Sequence, residues 1–293
     1  MARRSTLVVL ALILLACLVS GCSGDGGAAG GENGPVSRYE RAVVLAVDAD
    51  DQTAQIRILE HTDDLSISWG TLEMGEEGEA AFDGDLPAEG DDIVLAWIGS
   101  PNDESTFPVD VHAWQPTVDF YAGFEGVHTV RLSASLLQFI SMTPDELMED
   151  LAEQPGFALA GRVDEGDVVV VFTSERLEAY REDLESSLDR YAASLREAEE
   201  VTAVEVSDDR TCVTLHATPE LLDKPVLVGE AFMALPGICA TLQAIDGVEK
   251  WGVEVIVIDE ESGAEVMRVT LPEESATLST EGWTEAVAQG LAA

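Results

Sequence analysis

The chain has 293 residues, 57 of them acidic and only 15 basic, and a formal charge of −42. Such a charge excludes nucleic acid and anionic lipid surfaces as partners for the body of the protein. Hydrophobic residues still make up 46% of the chain, enough to build a core and to exclude charge-driven disorder.

The N-terminus reads first as an export signal. Arg3 and Arg4 precede an apolar run from Leu7 to Val19, and the small residues Ser20 and Gly21 follow. The run is shorter than the ~20 apolar residues needed to cross a bilayer. Val19-Ser20-Gly21-Cys22 resembles the lipobox of bacterial lipoproteins, in which the cysteine carries a thioether-linked diacylglycerol and becomes the first mature residue. Two acyl chains at ~0.8 kcal/mol per buried methylene anchor stably, so Cys22 is expected to be lipidated, palmitate being a representative chain, and membrane-attached. The Gly- and Ala-rich stretch to Pro35 then acts as a flexible tether with a reach of roughly 20 Å. Loss of Arg3 and Arg4 with the leader leaves 13 basic residues against 57 acidic ones, a formal charge of −44.

From Tyr39 to about Tyr121 the pattern predicts short strands. "AVVLAVDADDQTAQIRIL" is an apolar run, an acidic turn from Asp48 to Gln52 and an alternating return, which is a hairpin signal. "LPAEGDDIVLAWIG" and "TFPVDVHAWQPTVDFY" add further strands, so a small antiparallel barrel or sandwich is expected over residues 37–122. Asp48 and Asp50 begin like a calcium loop, but Thr53 stands where the turn glycine belongs and Leu59 where the bidentate glutamate belongs. The turn therefore reads as a solvated hairpin.

Beyond Gly126, helices alternate with hairpins. Thr143-Pro144-Asp145-Glu146 is a capping box with proline at the first helical position, and it predicts a helix to about Glu153. A hairpin turning at Asp164 to Gly166 follows. Leu177, Tyr180, Leu184, Leu188, Tyr191 and Leu195 form one apolar stripe on a helix predicted over residues 174–200. "VTAVEVSDDRTCVTLH" predicts a hairpin. The nearly all-apolar Val226 to Ile245 stretch, interrupted by Glu230 and Pro236-Gly237, reads as a buried core helix kinked at Pro236 rather than a membrane span. "WGVEVIVIDEESGAEVMRVTL" closes the series with a hairpin turning near Gly263. Three helix-then-hairpin units, 143–173, 174–217 and 218–271, predict an α+β domain over residues 126–293: an antiparallel sheet with helices on one face.

The segments "VRLSASLLQFISMTPDELMEDL", "VDEGDVVVVFTSERLEAYREDL", "VTAVEVSDDRTCVTL" and "WGVEVIVIDEESGAEV" resemble uncharacterised lipoproteins of Gram-positive bacteria. The resemblance covers about Gly126 to Leu271. It implies a surface lipoprotein with an α+β module and brings no assigned activity.

Catalytic spacings for a serine hydrolase, a zinc peptidase and a P-loop are absent from the sequence. Cys212 and His216 share one strand face, but four residues at ~3.3 Å rise separate their backbones by about 13 Å, too far for a nucleophile and base. His61, His112 and His128 lack ligand spacing, so neither a metal nor another cofactor is expected. Cys212 and Cys239 are the two cysteines of the mature chain besides Cys22. An extracytoplasmic location permits a disulfide between them, although Cys212 alternates away from the core and Cys239 lies in the apolar helix. Trp69, Trp97, Trp114, Phe120, Tyr121 and Phe124 raise glycan stacking, with core packing favoured for the two tryptophans inside strand patterns. The expected role is a lipid-anchored, non-enzymatic binding or scaffold module with an envelope protein or glycan as partner. A small-ligand or glycan receptor and an envelope hydrolase of unrecognised type are the alternatives.

Overall fold

The computed structural model describes residues 36–61, 65, 67, 69–70, 72–99, 107–154 and 156–290. Those residues form a mixed α+β protein with a closed five-stranded barrel and two further sheets.

The barrel runs in the order β1-β2-β3-β5-β4, from β1 (Val36–Asp48), β2 (Thr53–Ile58), β3 (Glu77–Phe82), β4 (Asp92–Gly99) and β5 (Val109–Pro116). The Asp48 carboxylate accepts hydrogen bonds from the Asp50 and Asp51 amides at 3.0 and 3.2 Å, and so ties down the β1–β2 turn predicted from sequence. The barrel is not wholly antiparallel, because β3 and β5 pair in parallel through Ala80–Val109 and its neighbours. The chain leaves β3, crosses to β4 and returns beside β3, so a hairpin meander cannot describe it. Alternate residues point inward: Ala42, Val44, Ile56, Ile58, Ile93, Leu95, Trp97, Val109 and Val111 make the core.

A short helix α1 (Thr117–Tyr121) follows β5 directly. A three-stranded antiparallel sheet β6-β8-β7 comes next, from β6 (Val127–Leu132), β7 (Ala160–Asp164) and β8 (Asp167–Thr173). Its β7–β8 turn places Glu165 at φ 54° and Gly166 at φ 94°, two positive dihedrals in succession, as a tight hairpin requires. Helices α2 (Ala134–Phe139) and α3 (Pro144–Glu153) lie between β6 and β7. The Thr143/Glu146 capping box forms as read from sequence, whereas α2 has only six residues and a weak periodic signal.

Helix α4 (Ser174–Glu197) is capped by the Thr173 hydroxyl and packs its stripe on the core through Ala192 and Leu195, with Leu177, Tyr180, Leu188 and Tyr191 half-buried. Beyond it, β9 (Val201–Val206), β10 (Cys212–Ala217), β11 (Val253–Asp259) and β12 (Glu265–Leu271) form a second sheet in the order β12-β11-β10-β9. The expected single antiparallel sheet is therefore replaced by two sheets, and β10 and β11 pair in parallel. The reason is the long helical crossover between them, because parallel neighbours require such a connection and a tight turn cannot make one.

That crossover comprises a 3₁₀ turn (Pro219–Asp223), α5 (Pro225–Gly229), a π-helical turn (Glu230–Ala234) and α6 (Leu235–Ile245). It is long and apolar enough to cross a membrane by length and composition. Its C-terminal half is embedded in protein, with Leu235, Cys239, Ala240 and Leu242 fully buried. The break expected at Pro236 is realised one turn earlier. Proline has no N–H to bond residue 232, and the wider π turn accommodates that loss. A last helix, α7 (Thr280–Gly290), covers β12 through the buried Trp283, whose indole Nε1 donates to Asp259 Oδ1 at 2.7 Å.

Candidate functional site

A groove of about 670 Å³ opens between α2, the crossover and the segment that follows β12. That volume falls within the range of roughly 300–1,000 Å³ typical of small-molecule sites. Phe139, Leu222, Val228, Phe232, Leu271 and Leu278 provide an apolar floor, and Ser135, Gln138, Glu274 and Ser275 stand on the exposed rim. Among the described residues lining it, none is Lys or Arg. Glu274 contributes the one charge among them, and its Oε2 accepts from the Thr270 amide at 2.8 Å. Behind the wall, Trp251 packs on Phe139 with ring centroids 5.3 Å apart and donates its Nε1 hydrogen bond to Ser135 Oγ at 3.1 Å. These contacts hold α2 in place as one side of the groove.

Two glycines of the crossover have opposite surroundings. A Cβ on Gly237 would meet Ile140 Cγ2 at 3.1 Å, so this glycine lets α2 approach the helix closely. A Cβ on Gly229 would meet nothing within 4 Å, and its φ of −61° is ordinary helix. Glycine in a helix costs about 1 kcal/mol relative to alanine. Neither dihedral strain nor packing requires it at position 229, and what its missing side chain leaves is open space in the groove. Apolar exposure continues along the crossover and α2: Val226 is 73% exposed, Met233 44% and Ile140 38%.

A second cleft, of about 620 Å³, lies between the barrel and the β7–α3 region and contains Arg41, Glu60, His61, Asp92 and Arg176. Its two arginines and Asp92 are already engaged with the protein. Arg41 makes a two-pronged pair with Asp92 at 3.1 and 2.6 Å and donates to Leu159 O at 3.2 Å. Arg176 donates to Ala158 O at 2.7 Å. The cleft thus reads as a junction fastened by scarce cations.

Inside the barrel, Glu40 is fully buried on β1, in phase with Ala42 and Val44. Its Oε1 accepts from the Leu72 amide at 3.2 Å, while Oε2 has no partner among the described residues. Burial pushes its carboxyl up to about 7, against the opposing effects of the Leu72 N–H and the Arg38 charge, with Glu76 adding to the rise. The carboxylate occupies the space a side chain at Gly70 would need, since a Cβ there would sit 1.7 Å from Oε1. Trp97 Nε1, also facing the barrel interior, has no partner among the described residues either.

Of the residues singled out from sequence, Cys22 and its tether lie outside the described residues. Cys212 and Cys239 are both free thiols, so the permitted bridge is not formed. Cys212 lies against Thr214 Oγ1 at 3.7 Å and Glu254 Oε2 at 4.0 Å on the outer sheet face. Cys239 is enclosed in α6, where burial pushes its thiol up to about 11. His216 faces Glu260 at 4.0 Å, a different carboxylate from the one beside Cys212. Of the aromatics of the glycan hypothesis, Trp97, Phe120 and Tyr121 are buried, whereas Trp69, Trp114 and Phe124 are half-buried. Trp69, Phe120, Tyr121 and Phe124 join Tyr39 and His61 in one ring cluster with centroid separations from 4.5 to 6.5 Å. Trp97 lies in the barrel core, and Trp114 donates to Asp85 O at 2.6 Å. Among the described residues no group of three or more His, Cys, Asp or Glu side chains is arranged to hold a metal ion.

The groove was not legible in the sequence. The available signal was Gly229 inside an otherwise apolar helical run. Compared with known proteins, the chain matches no family model, no curated protein and no solved structure.

Proposed function

We propose that this is a lipid-anchored, extracytoplasmic binding protein of the bacterial cell surface, attached through Cys22 and holding its ligand in the groove between α2, the crossover and residues 271–278. The observation that carries the binding reading is that groove, with its apolar floor, polar rim and unfilled position at Gly229. Location rests on the order of basic residues, apolar run and Val19-Ser20-Gly21-Cys22, followed by a glycine-rich tether. The acidic body is kept off an anionic membrane by its charge, and the tether spans the gap. An envelope hydrolase has less support, because the first groove is lined by no histidine and, in the second cleft, the Asp92 carboxylate that lines it with His61 is already paired with Arg41.

The anchor is tested by expressing the full chain and its Cys22→Ser variant in a lipidation-competent bacterium and assaying membrane and medium fractions. Wild type is expected in membranes and the variant in the medium. Equal release of both would overturn the anchor.

A further inference from the structure

We infer that the groove takes one acyl chain of a lipid whose head group is uncharged and hydroxyl-bearing, a monoacylglycerol-like amphiphile. This inference deepens the binding reading above and rests on it. The floor provides apolar surface from three separate elements: Phe139 of α2, Leu222, Val228 and Phe232 of the crossover, and Leu271 and Leu278 flanking the last segment. An alkyl chain laid there leaves water without requiring any polar partner.

The rim selects the head group. Ser135, Gln138 and Ser275 present hydroxyl and amide groups able to donate and accept, and Glu274 has an oxygen beyond the one held by Thr270. A hydroxyl of the head group can donate to that carboxylate and accept from the Gln138 amide. A fatty-acid carboxylate or a phosphate would meet Glu274 with no lining cation to compensate, in a protein of charge −42. Like-charge juxtaposition of this kind is a means of rejecting a ligand.

Gly229 provides the means of test. Its helical backbone accepts any L side chain, and the space beyond its Cα is open. A Cβ there meets no neighbour, so a leucine is the substitution chosen to fill the groove at that point.

The experiment uses the full chain in whichever cell fraction holds it, so failure of the anchor leaves the result readable. Diazirine-bearing monoacylglycerol, fatty acid and lysophosphatidylglycerol are added at equal concentration, and labelled peptides are mapped. The monoacylglycerol probe is expected to label peptides containing Phe139, Phe232 or Met233 at least tenfold more than either anionic probe. Gly229→Leu should cut that labelling at least tenfold, with a thermal midpoint no lower than wild type. Val163→Ser, a change at an exposed apolar residue of β7 outside the groove lining, should leave it unchanged. Ser275→Trp on the exposed rim is an independent block should Gly229→Leu not fold. Equal labelling of wild type and blocked variants, equal labelling by the anionic probes, or label scattered over the surface would each overturn the inference. Groove labelling by an anionic probe alone would overturn the ligand class while sparing the binding reading.

Discussion

The barrel and the α+β region solve the same packing problem with opposite residues left over. The barrel closes on itself, and its interior retains a carboxyl group, Glu40, that accepts one hydrogen bond, from the Leu72 amide, among the described residues. The α+β region is assembled from two sheets and a broken crossover helix, and its packing leaves an apolar groove open at Gly229. A closed sheet thus carries its polar misfit inside, where the consequence is pH-dependent stability. An open assembly carries its apolar misfit at the surface, where it leaves the groove that we propose binds a ligand.

The sharpest way to break that comparison is Glu40→Gln. Burial raises the Glu40 carboxyl from its ordinary value near 4.5 to about 7, so the fold favours the neutral form. Its contribution is fully present below the unfolded value, declines as pH rises through the interval up to about 7, and is level above. Glutamine keeps the acceptor for Leu72 and removes the charge. Urea unfolding should therefore show the variant gaining about 3 kcal/mol over wild type at pH 8 and little at pH 4. A pH-independent difference between the two proteins would remove the barrel's side of the comparison.

Next in size is the junction. Arg41 and Asp92 are both mostly buried, with side chains 21% and 28% exposed, and Arg41 also holds Leu159 O. Removing one partner leaves the other carboxylate short of its charge-assisted bonds, so Arg41→Met should destabilise by about 2 kcal/mol. Unfolding followed separately at Trp114 in the barrel and Trp283 under the second sheet would test whether the two halves then separate; a single unchanged transition would speak against Arg41 as their fastener.

The smallest effect has the opposite sign. Gly229→Ala adds helix propensity without meeting any neighbour and should raise stability by about 0.5–1 kcal/mol, read as a higher denaturation midpoint. A loss of stability would mean that the glycine has a packing role and that the groove at that point is not open.

Several features of this fold were legible from residues alone. The β1–β2 turn at Asp48, the β7–β8 turn ending on Gly166, the Thr143 capping box and the apolar stripe of α4 all depend on residues a few positions apart, and each forms as read. Local hydrogen bonds and side-chain periodicity suffice to specify them. Glu40 was not singled out in the sequence, although it alternates with Ala42 and Val44 along β1. What no local pattern contained was how deeply it is enclosed, because the β2–β3 connection supplies Leu72 and the neighbouring Gly70 from about thirty residues away.

The sequence by itself therefore determined the acidic character, the hairpin turns and the longer helices α3 and α4, all of which follow from short-range chemistry. Only the tertiary structure decided the parallel β3–β5 and β10–β11 pairs, the division into two sheets, the free state of Cys212 and Cys239, and the groove. Each of these depends on contacts between residues far apart in the chain, where strand partners and the residues facing a cavity are chosen by the packing of the whole rather than by any segment's own preference.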